Sequence, residues 1–172
     1  MRYVLKVALL LVCLISCTHN EREIRRNLYR MMNSKVELDY RSLIPVSESS
    51  EQCDDDYIWL RYIAREYCKP CWLQELKEWD VFVKKYKGTN AVIVLSVDNS
   101  EYAEVVNHIK KLDLHIFVYA DFKGVFATRN DFIPVEGMYH TFMIDKSRRI
   151  KLIGNPLRNK EIGRIFEDSF IH

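Results

Sequence analysis

The stretch "EYCKPCWLQEL", residues 66–76, places two cysteines two residues apart, with a proline between them and a helix-like run behind. Such a pair can exchange disulfides, supply half of a metal site, or close as a structural staple. The order of residues gives the redox option a physical basis. A cysteine at the start of a helix points its sulfur at unpaired N–H groups and the positive end of the helix dipole, which favours thiolate over thiol. Cys68 is that residue. Cys71 lies one turn inside, where it is expected to be shielded from most partners and able to close a small Cys68–Cys71 disulfide. Pro70 falls in the first turn, where its missing N–H costs nothing and its fixed φ suits helix entry. Lys69 adds a cation beside the thiolate, which should lower the Cys68 pKa and favour the reduced form. In exchange chemistry Cys68 would attack and Cys71 would resolve, with no cofactor required.

Such a pair needs a rigid frame. "YIWLRYIA", Tyr57 to Ala64, is almost continuously apolar or aromatic and of strand length, which suits a central strand buried on both faces. From Trp72 to Tyr86 the period changes: Trp72, Leu76, Trp79 and Val83 make one apolar helical stripe, with both tryptophans expected in the core. "AVIVLSV", Ala91 to Val97, is a second buried strand. A helix follows, with Ser100 as its expected N-cap and Ala103, Val106, Ile109 and Leu112 as its stripe. "HIFVYA" is a further strand, "HTFMID-KSRR-IKLIG" a hairpin, and "NKEIGRIFEDSF" a closing helix capped by Asn159. "SKVELDYRSLIPV" is compatible with a short strand, and residues 18–32 with a helix whose apolar face holds Ile24, Leu28 and Met31 or Met32.

The 172 residues are one domain's worth of chain, and 48% hydrophobic with 29% charged residues is an ordinary globular composition. The first residues stand apart. Basic Arg2 and Lys6 precede an apolar run ending at small Ser16, the pattern of a secretory signal peptide over residues 1–16. Leu14-Ile15-Ser16-Cys17 is similar to the bacterial lipobox, which implies cleavage before Cys17 and lipidation of that cysteine. Loss of Arg2 and Lys6 would bring the formal net charge of +2 close to zero, and no basic stripe points to nucleic acid. Of the five cysteines, Cys13 leaves with the signal and Cys17 carries lipid, so Cys53, Cys68 and Cys71 would face a disulfide-permissive compartment. Cys53 is then an odd, free or intermolecular thiol. The acids Asp54, Asp55 and Asp56 lack calcium-ligand spacing and read as a solvated turn.

The order strand, Cys-x-x-Cys, helix, strand, helix, strand, hairpin, helix is an α/β pattern with early crossovers and a late antiparallel pair. Together with "VIVLSVD" and the late "TFMID…I.LIG", it resembles the thioredoxin-like superfamily, and within it the TlpA-type envelope lipoproteins of the Bacteroidales. The likeness covers roughly residues 54–172. It implies a central mixed sheet flanked by helices over residues 36–172, behind a lipid-anchored tether and short helix over 17–35. It also implies thiol–disulfide exchange with protein thiols and disulfides of the cell envelope, and a membrane reductant or oxidant as partner. The active-site loops would comprise Tyr67, Lys69, Pro70, Tyr139 and His140.

Three departures bear on that expectation. Tyr139 stands where the family usually places a cis-proline, and a cis bond to a non-proline is costly, so Tyr139 is expected trans. Pro134 would replace it only with a shifted register. Tyr62 takes the place of a buried acid, and Tyr67 that of a tryptophan. Two other functions stay open: a metal-binding module using Cys68, Cys71 and His140, and a redox-silent interaction module.

Overall fold

Tyr57 to Ala64, Trp72 to Val83 and Ala91 to Val97 line the interior of the structure, a computed structural model that describes residues 21–47 and 55–171, the side chain of residue 69 excepted. The expectations for the signal peptide, Cys17, Cys53, Asp54 and the Lys69 ammonium fall outside the described residues. In chain order the elements are α1 (21–32), β1 (Ile44–Pro45), β2 (Tyr57–Ile63), α2 (Lys69–Val83), β3 (Thr89–Ser96) and α3 (Tyr102–Lys110). There follow β4 (Phe117–Asp121), α4 (Val125–Arg129), a 3₁₀ turn (Gly137–Tyr139), β5 (Thr141–Asp145), β6 (Ile150–Ile153) and α5 (Lys160–Phe170).

The strands form one mixed sheet in the order β1-β4-β3-β2-β5-β6. β2, β3 and β4 run parallel, as the intervening helices require, while β1, β5 and β6 pair antiparallel to their neighbours. β2 lies in the middle, paired with β3 on one side and β5 on the other, with Arg61 opposite Thr141. Its alternation builds two cores. Trp59 and Ile63 face Trp72, Leu76, Trp79 and Val83 of α2 and Phe166 of α5. Ile58 and Leu60 face a second core with Met31, Val36, Leu38, Phe126, Tyr139 and Phe142. The α2 stripe is as expected, with Leu76 and Trp79 fully enclosed and Trp79 packed on Trp59 at 5.8 Å between ring centroids. Asn159 caps α5 by accepting from the Glu161 N–H at 3.0 Å. In α1, Met31 is enclosed in the same core as Val36 and Leu38.

The third helix corrects the expectation. α3 starts at Tyr102 behind Glu101, without a side-chain cap from Ser100, and it buries Val105 and Ile109 while Ala103 is exposed. Val106, Ile109 and Leu112 pack against the core as expected, while Val105 rather than Ala103 joins them inside. α4 and the 3₁₀ turn were not foreseen. α4 is one short turn held by a buried carboxylate: Asp121, at the end of β4, accepts from the N–H groups of Val125 at 3.0 Å and Phe126 at 2.9 Å. Gly124 before it has φ +64°, a left-handed conformation that favours glycine. Among the described residues no helix is long and apolar enough to cross a membrane.

Candidate dithiol site

β2 ends at Ile63, and the turn 64–68 carries the chain to the N-terminus of α2, where Cys68 is the capping residue. No side chain caps the helix there, so the first N–H groups are left to the Cys68 carbonyl and to whatever sits at the sulfur. The Cys68 carbonyl accepts from Cys71 N at 3.1 Å and Trp72 N at 3.3 Å. Pro70 lies in the first turn, as expected. Both cysteines are free thiols, with Cys71 Sγ donating to Cys68 Sγ at 2.7 Å. That hydrogen bond, with one from the Cys71 backbone, holds the Cys68 thiol below its ordinary range, while the same contact pushes Cys71 up. These are the directions that an attacking Cys68 and a resolving Cys71 would need. Shielding of Cys71 does not: Cys68, Pro70 and Cys71 are all exposed, because the first turn of α2 precedes its buried stripe.

Beneath the dithiol lies a buried ion pair that the sequence reading missed. Arg61 on β2 and Glu75 on α2 are each about 95% or more enclosed, and Arg61 Nε donates to Glu75 Oε1 at 2.9 Å. Glu75 Oε1 also accepts from Asn155 Nδ2 at 3.2 Å and Trp79 Nε1 at 3.4 Å. The Arg61 guanidinium donates to the Tyr62 carbonyl at 3.0 Å and stacks over the Tyr67 ring at 5.1 Å. One carboxylate therefore ties together α2, the turn before Cys68 and the β6–α5 connection. A signal was present in the sequence: a lone arginine inside an apolar strand run needs a buried counter-charge, and Glu75 follows Cys71 by one helical turn.

The loop 133–140 lies beside the turn that precedes Cys68, with Tyr139 trans as expected. Among the described residues no peptide bond is cis, at Tyr139, Pro134 or elsewhere. Tyr139 is buried, and His140 is 7% exposed with its Nε2 at 3.0 Å from the Pro134 carbonyl and its ring edge-on to Tyr62 at 5.2 Å. No group of three or more His, Cys, Asp or Glu side chains among the described residues is placed to hold a metal, so His140 is not brought together with the two sulfurs. Tyr62, in place of the acid, is half-buried, with its hydroxyl paired to Ser96.

The turn and the loop enclose two hollows. One, of about 470 Å³, is lined by Tyr67, Met138, Tyr139, Leu28 of α1 and the Gly154–Asn155 bend after β6. The other, of about 280 Å³, is lined by Ala64, Glu66, Pro134, Val135 and His140, with Phe126 of α4. The neighbours Glu66 and Tyr67 thus line different hollows, on either side of the turn that leads into Cys68. Val135 and Met138 stand out from the loop, 90% and 63% exposed.

Solved structures with the same arrangement of sheet and helices decide the fold. An uncharacterized thioredoxin-like protein from Porphyromonas gingivalis superposes with a TM-score of 0.52 at 17% identity, covering 81% of this chain and 98% of that one. A domain of a possible thiol-disulfide isomerase from Cytophaga hutchinsonii gives 0.53 at 14% identity, covering 80% and 93%. The fold is thioredoxin-like. A candidate thiol-disulfide oxidoreductase from Bacteroides vulgatus shares this thioredoxin-like fold, at a TM-score of 0.51 and 15% identity over 77% of this chain and 89% of that one. No protein-family model and no curated protein matches the sequence. Within a thioredoxin-like frame the Cys-x-x-Cys sits between the central strand β2 and α2, as the resemblance implied.

Proposed function

We propose that this chain is a thiol–disulfide oxidoreductase acting on protein thiols and disulfides of the cell envelope, held there by lipid on Cys17. The observation that carries the redox reading is the thiol pair itself: two exposed, free sulfurs in contact at a helix N-terminus, with the outer thiol pushed towards thiolate and the inner one away from it. Similar structures described as thiol-disulfide oxidoreductases support it at the level of fold. The Cys68 thiolate attacks one sulfur of a substrate disulfide, forming a Cys68–substrate disulfide and releasing the other substrate sulfur as a thiolate that takes up a proton. Cys71 then loses its proton and attacks Cys68 Sγ, closing Cys68–Cys71 and releasing the second substrate thiolate. Two electrons pass from protein to substrate; the reverse sequence oxidises a dithiol. A membrane reductant or oxidant would reset the pair. The pocketed His140, committed to Pro134, does not favour the metal reading.

Reduction of insulin with dithiothreitol as electron source tests this directly. Wild type should accelerate it, Cys68→Ser should abolish the acceleration, and Cys71→Ser should accumulate mixed disulfides through Cys68. A wild-type protein with no effect on insulin and no mixed disulfides in the Cys71→Ser variant leaves the interaction-module reading. Anchoring is tested separately: Cys17→Ala should eliminate acyl labelling of the expressed chain.

A further inference from the structure

The smaller hollow beside the dithiol has a wall chemistry that selects its occupant. His140 Nε2 faces the Pro134 carbonyl, which can only accept, so Nε2 carries the ring proton. Burial holds the imidazole below its ordinary range, which keeps it neutral and leaves Nδ1 with a lone pair that can accept. The charged groups that act on this ring are Arg61, already paired with Glu75, and the carboxylates of Glu136 and Glu66. Glu66 also lines the hollow, and Glu136 is exposed on the loop beside it. The amide of Asn130, in the same wall, is spent on the Glu37 and Phe126 backbone. The nearest other cation of the turn, Arg65, is bound to Asp98 at 2.8 Å. The remaining lining is flat and apolar: Tyr62, Phe126 and Pro134.

An imidazole nitrogen with an acceptor lone pair, an acidic rim and aromatic walls together suit a long apolar stem ending in a cationic donor. We propose that this hollow is a specificity subsite for an arginine or lysine side chain next to the reacting cysteine of a substrate polypeptide. Its stem lies against Tyr62 and Phe126, and its charged head donates to His140 Nδ1 and the Glu66 carboxylate. A volume of about 280 Å³ is ample for one such side chain. The turn that leads into Cys68 lies between the two hollows, so a chain crossing it to reach the sulfur places a flanking residue over this hollow. The subsite rests on the exchange reading, because it acts on substrates of that same thiol.

The test uses the full chain and short peptide disulfides with arginine, norleucine or glutamate beside the half-cystine, on its N-terminal side in one set and its C-terminal side in another. In one of the two sets kcat/KM for arginine should exceed that for norleucine about tenfold, the scale of one charge-assisted hydrogen bond, with glutamate below both. Glu66→Gln, a change at an exposed residue, should cut the arginine-to-norleucine ratio at least threefold, and His140→Phe should cut it as well. Equal rates for arginine and norleucine in both sets, or a ratio untouched by both variants, overturns the subsite. Binding of the same peptides with S-methylcysteine in place of the half-cystine separates site from chemistry. An arginine preference in binding without reduction of any disulfide keeps the subsite and overturns the exchange reading. Turnover without an arginine preference does the opposite.

Discussion

The helix that carries the dithiol and the loop 133–140 are held by opposite means. α2 is fixed by burial: Trp72, Leu76, Trp79 and Val83 are at most 5% exposed, and Trp59, Phe82 and Phe166 surround Trp79 or one another with ring centroids 5.5–6.3 Å apart. Residues 133–140 are fixed mainly by short-range hydrogen bonds instead, from Ile133 N to Asn130 O, Tyr139 N to Glu136 O, His140 N to Gly137 O and the His140 ring to Pro134 O, with one bond from Tyr62 N to His140 O, at 2.8 Å, tying the end of the loop to β2. Only Pro134, Tyr139 and His140 of the loop are buried, while Val135 and Met138 face solvent. The dithiol stands on a rigid base, and the loop beside the turn that precedes it is locally tied. Exchange needs that division, because attack along the S–S axis demands a fixed sulfur, whereas unlike substrates need a surface with adaptable apolar side chains.

The largest expected effect tests the rigid side. Trp79→Ala should cost roughly 3–5 kcal/mol of unfolding free energy in a urea titration. Val135→Ala or Met138→Ala should cost less than about 0.5 kcal/mol, as exposed substitutions do, while raising KM for insulin. Equal destabilisation from both regions would break the comparison.

A second effect concerns the charges beneath the turn. Arg61→Met strands the Glu75 carboxylate in the interior, at a cost of roughly 3 kcal/mol. Adding Glu75→Met removes the stranded charge, and the double variant should recover at least half of the loss, read as the coupling in a double-mutant cycle. The Arg61 stack on Tyr67 is lost in both, so an activity defect that survives the recovery of stability reports the placement of the turn before Cys68.

The same division explains what the sequence revealed. α2 was legible because burial writes a period: Trp72, Leu76, Trp79 and Val83 recur at helical spacing, while β2, apart from Arg61, and the Ala91 to Leu95 stretch of β3 are apolar runs. The hairpin and the Asn159 cap were legible for similar local reasons. The loop 133–140 carries no period, and its shape comes from carbonyl partners that no spacing announces. α4 escaped notice because five residues are too few for a stripe, and its anchor, Asp121, reads as the polar end of a strand. Ser100 failed as a cap because propensity yielded to the packing of Val105 and Ile109. Arg61 is the instructive omission. Its charge sits inside an otherwise apolar strand, and the partner that balances it lies on another element, at no spacing that a periodic pattern marks.

A third, smaller effect lies at the sulfurs. Since the Cys71 thiol donates to Cys68, the Cys68 thiolate should form below the ordinary cysteine value of 9.0, and Cys71 should titrate above it. The rate of Cys68 alkylation by iodoacetamide against pH should show its inflection below 9.0. Cys71→Ala removes the donor and should move that inflection upward. An inflection unchanged by the substitution assigns the activation to the helix N-terminus alone.

The smallest effect returns to the loop wall and its one buried imidazole. Burial lowers the His140 pKa from 6.5, and the Pro134 carbonyl and the two glutamates only partly restore it. The sign follows from proton counting. Below pH 6.5 the unfolded chain binds a proton at this residue that the folded chain refuses, so unfolding is favoured as pH falls from 6.5 to the folded value. Above 6.5 both states are neutral and the group adds no pH dependence. The urea midpoint of wild type should therefore drop between pH 7.5 and 5.5 by more than that of His140→Phe, in which the titrating group is gone while the carboxylates common to both proteins remain. Parallel drops would mean that the imidazole takes up its proton in place, turning from acceptor to donor without loosening the loop. Hydrogen exchange at the Tyr139 and His140 amides then locates the change. If acid opens the loop wall first, as its short-range bonding requires, those amides lose protection at pH 5.5 while the amides of α2 beyond Leu76 keep theirs. Loss of protection in both regions together would mean that wall and helix open as one unit, and that the division between a buried base and a tied wall does not extend to their stability.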